Sequence, residues 1–127
     1  MKKNVISWFE IPVTNFERAK KFYEAILEIE IFVMPAMEDK SMKYGMFPFD
    51  MEGGGVGGGI SEMEGFEPST SGSLVYLNGG DDLSHPLSLV EKAGGKILLP
   101  KTSIGENGFM AYFKDTEGNK VAFHSNK

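Results

Sequence analysis

The sequence contains no cysteine, which excludes disulfides, thiolate nucleophiles and sulfur metal ligands. Any metal site has to be assembled from histidine and carboxylates, and there are only two histidines, His85 and His124. Tryptophan is almost absent too, with Trp8 alone. No apolar stretch approaches the roughly 18 to 20 residues that span a bilayer. The opening MKKNVISWFEIPV is interrupted by Glu10 and lacks a small-residue cleavage site, so it does not read as a signal peptide. A cytoplasmic protein without a membrane partner is the expectation. A basic excess is missing as well: 13 Lys and Arg stand against 18 Asp and Glu, a net charge of −5, and the cations are scattered. No nucleic-acid partner is expected, because neutralising phosphates takes clustered cations.

What is present is the balance of a folded domain, with 41% hydrophobic and 24% charged residues in 127 positions, enough for one core. Ile6 to Val13 is rich in β-branched and aromatic side chains and reads as a strand. Thr14 with Glu17 three residues later then offers a capping box. The helix that follows carries Phe16, Ala19, Phe22, Tyr23, Ile26 and Leu27 on one face and Glu17, Arg18, Lys20, Lys21 and Glu24 on the other. Three strands are expected next, at Ile29 to Met34, Met42 to Phe47 and Val56 to Ile60. Ser61 to Gly72 is rich in turn formers and reads as the connecting segment, with the linker placed at residues 66–70.

The same order then returns: GSLVYLN as a strand, a helix through Leu83, Leu87, Val90 and Ala93, and KILLP, GFMAYF and KVAFH as strands. Pro86 places the second helix start at Leu83 to His85, Gly94 and Gly95 end it, and Gly118 supplies the positive φ of a tight turn. Pro35 and Pro100 each close a strand at equivalent places. The expected fold is α+β, a single domain of two βαβββ modules, 1–65 and 71–127.

The strings WFEIPVTNFERAKKFYEAIL, VEKAGGKILLPK and AYFKDTEGNKVAFH together resemble the vicinal oxygen chelate superfamily of glyoxalase, bleomycin-resistance and dioxygenase proteins, close to its lactoylglutathione-lyase-related bacterial branch. The resemblance covers essentially the whole chain. It implies modules curled into glyoxalase-like half-barrels around a cavity, a homodimer, and metal ligands (His, Glu or Gln) on the first and last strand of each module. In this sequence those ligand positions fall on Trp8, on or beside Gly59, on Ser73 and on Ala122, none of which supplies an imidazole or carboxylate. No cofactor is therefore expected, and a divalent metal is disfavoured.

Two readings follow. In the first, a small organic ligand is bound without the usual metal by Trp8, Gly59, Ser73, Val75 and Ala122, with Trp8 offering a stacking surface or else filling the core. In the second, the chain is a lyase, isomerase or dioxygenase, either with displaced metal ligands or metal-free, with Glu10 and His124 as acid–base catalysts sharing one cavity. Strand alternation supports that sharing, since Glu10 lies two residues from Trp8 and His124 two from Ala122. His85, beside Pro86, reads as a solvated surface residue. GGGVGGG lacks the G-K-[ST] of a phosphate loop and reads as a strand whose missing side chains enlarge the pocket opposite Trp8. The eight methionines read as core fillers.

Overall fold

The computed structural model describes residues 4–35, 42–50 and 52–127; the two leading lysines and Met1, Met37 and Met51 lie outside them. The chain runs β1 (Trp8–Pro12), α1 (Phe16–Leu27), β2 (Phe32–Val33), β3 (Lys43–Met46), β4 (Gly57–Glu62), β5 (Tyr76–Asn78), α2 (Ser84–Val90), β6 (Lys96–Ser103), a 3₁₀ turn (Gly105–Asn107), β7 (Phe109–Lys114) and β8 (Lys120–Ser125). Two four-stranded sheets result, ordered β1-β4-β3-β2 and β5-β8-β7-β6. The two orders are the same when modules are superposed element by element, so the expected βαβββ repeat is present. Within the sheets the β1–β4 and β5–β8 pairs are parallel and the others antiparallel. Among the described residues no ladder joins the sheets, and the expected half-barrels do not close into a barrel.

Backbone hydrogen bonds fix how the modules correspond. Val13 N–H donates to the Ser61 carbonyl at 2.9 Å, and Gly79 N–H donates to that of His124 at 2.7 Å. Pro12 is paired with Ser61, and Asn78 with His124. Counting back along the strands, Glu10 corresponds to Tyr76 and Trp8 to Leu74, while Gly59 corresponds to Ala122.

α1 forms where its apolar period predicts, burying Phe16, Ala19, Phe22, Tyr23 and Ile26. These pack on Ile11 of β1, Ile60 of β4 and Phe113 and Phe123 of the second sheet, in one core shared by both modules. The helix start differs from the expected capping box. Asn15 is the N-cap, accepting from Arg18 N–H at 3.1 Å, because Thr14 is held instead by Glu117. Glu117 Oε1 accepts from the backbone of Thr14 at 2.9 Å and of Asn15 at 2.7 Å, and its Oε2 accepts from Arg18 Nε at 2.7 Å. Next to this clamp, the buried Asp115 accepts from Tyr23 Oη at 2.6 Å and from Asn119 Nδ2 at 2.9 Å. The D-x-E-G-N turn and the F-Y of the first helix thus belong together as a buried joint between modules, with Gly118 at φ +99 as the turn requires.

Several boundaries depart from expectation: β2 is confined to Phe32–Val33 and β5 to Tyr76–Asn78, and three others shift. β4 continues through Ser61 to Glu62, so the connection starts later than Ser61, and Glu62 Oε1 accepts from Phe16 N–H at 2.8 Å to cap α1 from the sheet. β6 does not end at Pro100: it runs to Ser103, with register shifts between Ile97 and Thr102. Proline is tolerated there because β6 is an edge strand and its missing N–H costs no ladder bond. α2 is one turn shorter than expected and ends through Gly94 at φ +107. Nor are the described methionines core fillers, since none belongs to the buried core.

Candidate functional site

Alternation divides each sheet into a helix-covered face and an open one. On the first sheet Phe9 and Ile11 of β1 and Ile60 of β4 face α1, which leaves Trp8 and Glu10 on the open face with Gly57 and Gly59 of β4 and Tyr44 and Met46 of β3. The indole is 36% exposed, so Trp8 is not a core filler. Its Nε1–H donates to Tyr44 Oη at 2.6 Å, and its ring meets Phe49 edge to face, with centroids 5.7 Å apart.

The glycine run explains how these rings fit. A Cβ on Gly57 would lie 2.5 Å from Phe49 Cδ1 and 2.7 Å from Trp8 Cζ3, and one on Gly59 would lie 2.8 Å from Tyr44 Cε1. On the opposite face, a Cβ on Gly58 would run into the Phe9 ring. Glycine in β4 therefore does not enlarge a pocket. It makes room for aromatic rings against the strand, and Trp8, Tyr44 and Phe49 make an aromatic floor in which Trp8 and Phe49 meet edge to face.

Glu10 stands exposed beside this floor. The Tyr44 hydroxyl is pushed up to about 12, by burial first; the Trp8 N–H it accepts works the other way, and the neighbouring Glu10 carboxylate pushes it further up. Tyr44 thus stays protonated across the physiological range and takes a hydrogen bond from Trp8. Sequence reasoning missed Tyr44 and Phe49. The signal was available for Tyr44 only through strand pairing, because Tyr44 sits opposite Ser61 and so shares the face of Trp8, Gly57 and Gly59.

The second sheet's open face carries Tyr76, Asn78, Met110, Tyr112 and His124 around the buried Ala122. Tyr76 and Tyr112 hydroxyls lie 3.5 Å apart, and Lys120 Nζ sits 4.4 Å above the Tyr112 ring. His124 Nε2–H donates to the Asn107 carbonyl at 2.7 Å. His124 and Glu10 line different hollows, the former with Tyr76, Asn78 and Gly80, the latter with Ser69, Ser73 and Val75. Of the other residues singled out in the sequence, Ser73 is exposed ahead of β5, Val75 packs against the core, and Leu74 rather than Ser73 is the counterpart of Trp8. His85 is exposed as expected and contacts Glu28 at 2.6 Å.

The positions that the resemblance assigns to a superfamily metal are Trp8, Gly59, Ser73 (with Leu74, the structural counterpart of Trp8) and Ala122. Their side chains are aromatic, aliphatic or absent, apart from one serine hydroxyl, so this donor set does not fit a divalent metal. Among the described residues, no group of three or more His, Asp or Glu is placed to hold one elsewhere.

Two βαβββ modules with matched sheet orders and open faces opposite their helices define a glyoxalase-type α+β domain. Residues 5–123 match the model of the glyoxalase/bleomycin resistance protein/dioxygenase superfamily, and the chain belongs to that family. A glyoxylase-like domain-containing protein of Didymella fabae is 35% identical over 126 residues, covering 92% of this chain and 90% of that protein. Among solved structures, a glyoxalase/bleomycin resistance protein from Albidiferax ferrireducens superposes with a TM-score of 0.68 at 20% identity, covering 98% of this chain and 100% of that one. Glyoxalase I from Zea mays superposes with a TM-score of 0.70 at 22% identity over 94% of this chain, which spans 45% of the maize enzyme's length. At such identities these structures establish the fold. No helix among the described residues is long and apolar enough to cross a membrane.

Proposed function

We propose that the protein binds a small aromatic or cationic organic molecule on the open face of the first sheet, without a metal. The observation that carries this reading is Trp8 itself. At a position where the family resemblance implies a metal ligand, it presents a partly exposed indole, held by its 2.6 Å bond to Tyr44 and packed against Gly57. A fixed aromatic face beside the carboxylate of Glu10 suits a flat or positively charged ligand, since stacking and cation–π attraction act on the ring and charge attraction on the acid. Acid–base catalysis by Glu10 with His124 gains no support from the geometry, because Glu10 and His124 line separate hollows. Association of two chains is part of the same proposal: Phe32 and Val33 on the edge of the first sheet are 61% and 47% exposed, and light scattering would detect the pairing.

The test uses the lone tryptophan as its own reporter. Aromatic amines and quaternary ammonium compounds are titrated while Trp8 emission is followed, and affinities for the Trp8→Ala variant are measured by calorimetry. A saturable emission change and at least about a tenfold loss of affinity in the variant are expected, the usual effect of removing a stacking anchor. Unchanged affinity in a folded Trp8→Ala protein refutes the proposal.

A further inference from the structure

The helices α1 and α2 make contact between the modules, whereas β1 and β5, each paired on one side only among the described residues, flank a seam of cavities. The strands pass in opposite directions, since Phe9 shares a cavity with Tyr76 to Asn78 while Pro12 shares another with Ser73 and Val75. The first of these cavities has a volume of about 620 Å³, within the range of roughly 300 to 1,000 Å³ typical of small-molecule sites. Phe9 and Phe47, stacked with centroids 5.8 Å apart, form one wall with Leu27 and Ile29; β5 forms the other. The arm ahead of β1 borders it, with Asn4 Nδ2 donating to the Gly54 carbonyl at 3.2 Å. Among the described residues no charged side chain lines it. Trp8, Glu10 and Tyr44 do not line it either, so it is separate from the aromatic floor.

Besides the side chains of Asn4, Tyr76 and Asn78, the cavity is offered polar groups by the backbone of β5. In β5 the Val75 carbonyl accepts from Ala122 N–H at 2.9 Å and Gly79 N–H donates to the His124 carbonyl at 2.7 Å. In a parallel ladder this turns Leu77 toward β8 and directs the N–H and C=O of Tyr76 and Asn78 to the free edge. Among the described residues those groups have no hydrogen-bond partner, and Tyr76 and Asn78 line the cavity. An apolar trough thus runs beside a row of strand-edge donors and acceptors. We propose that this seam cavity is a second binding site, for an uncharged elongated apolar molecule bearing a secondary amide. Its alkyl or aryl part lies against Phe9, Phe47, Leu27 and Ile29, and its amide N–H and C=O pair with the edge of β5 as an added strand would.

The test is a titration of the ¹⁵N-labelled full chain with N-octylacetamide, with octyl acetate, which has no N–H to give, as control. Saturable shifts are expected at the Tyr76 and Asn78 amides, with the ester binding about fivefold more weakly for the lost hydrogen bond. Ile29→Trp, which fills the trough, should weaken binding at least about tenfold; should that variant misfold, Ile29→Phe should reduce affinity in the same direction. Trp8→Ala should leave this affinity within about twofold, which separates the seam from the aromatic floor. The proposal is overturned if no saturable shifts occur, if amide and ester bind equally, if the shifts centre on Trp8 and Tyr44, or if a second copy already protects the Tyr76 amide in the unliganded protein.

Discussion

The joint between the modules makes a quantitative prediction about acid. Glu117 has a fully buried side chain, accepts from the backbone of Thr14 and Asn15, and pairs with Arg18, whose side chain is 50% exposed. Its carboxyl lies at about 2 instead of the ordinary 4.5: burial opposes the shift, but the bonds from Arg18, Asn15, Thr116 and Thr14 outweigh it. A displacement of that size corresponds to at most about 3 kcal/mol of folding free energy. Because Arg18 is half in water, screening reduces this to about 1 to 2 kcal/mol. The folded-state value is depressed, so the contribution is fully present above pH 4.5 and is lost as the pH falls toward 2. Urea denaturation of the wild type and of Glu117→Gln at pH 7, 5 and 3 measures it. The variant should be less stable by about 1 to 2 kcal/mol at pH 7, and the gap should shrink as the pH falls, since protonation removes from the wild type the charge that the substitution removes outright. A gap that stays constant from pH 7 to 3, or none at pH 7, refutes the assignment of Glu117 as the charged clamp.

Other predictions concern the joint and the floor. Tyr23→Phe removes the 2.6 Å bond to the buried Asp115 and leaves Asp115 Oδ2 to Asn119 alone, so thermal and urea denaturation should report a loss of about 1 to 3 kcal/mol. Gly57→Ala places a methyl against Phe49 and Trp8 and should cost about 1 to 2 kcal/mol while altering Trp8 emission in the unliganded protein; unchanged stability and spectrum would mean that the rings do not rest on β4.

What the sequence determined by itself was everything that rests on neighbours in the chain. The apolar period of Phe16 to Leu27 marks a helix, Gly94 and Gly118 mark turns, and the recurrence of strand, helix and three strands marks the duplication; each needs only a few consecutive residues to be read. Tertiary structure decided what depends on distant segments meeting. Thr14 looks like a cap within its own helix, yet Glu117, 103 positions away, takes its hydroxyl and passes the capping role to Asn15. Trp8 gives no sign that Tyr44 will hold its indole, and the glycines of β4 read equally well as space or as a floor until the rings are seen packed against them. Nor does a strand reveal which of its edges will be left open, so the unpaired side of β5 and the cavity beside it came only from the way the two modules pack.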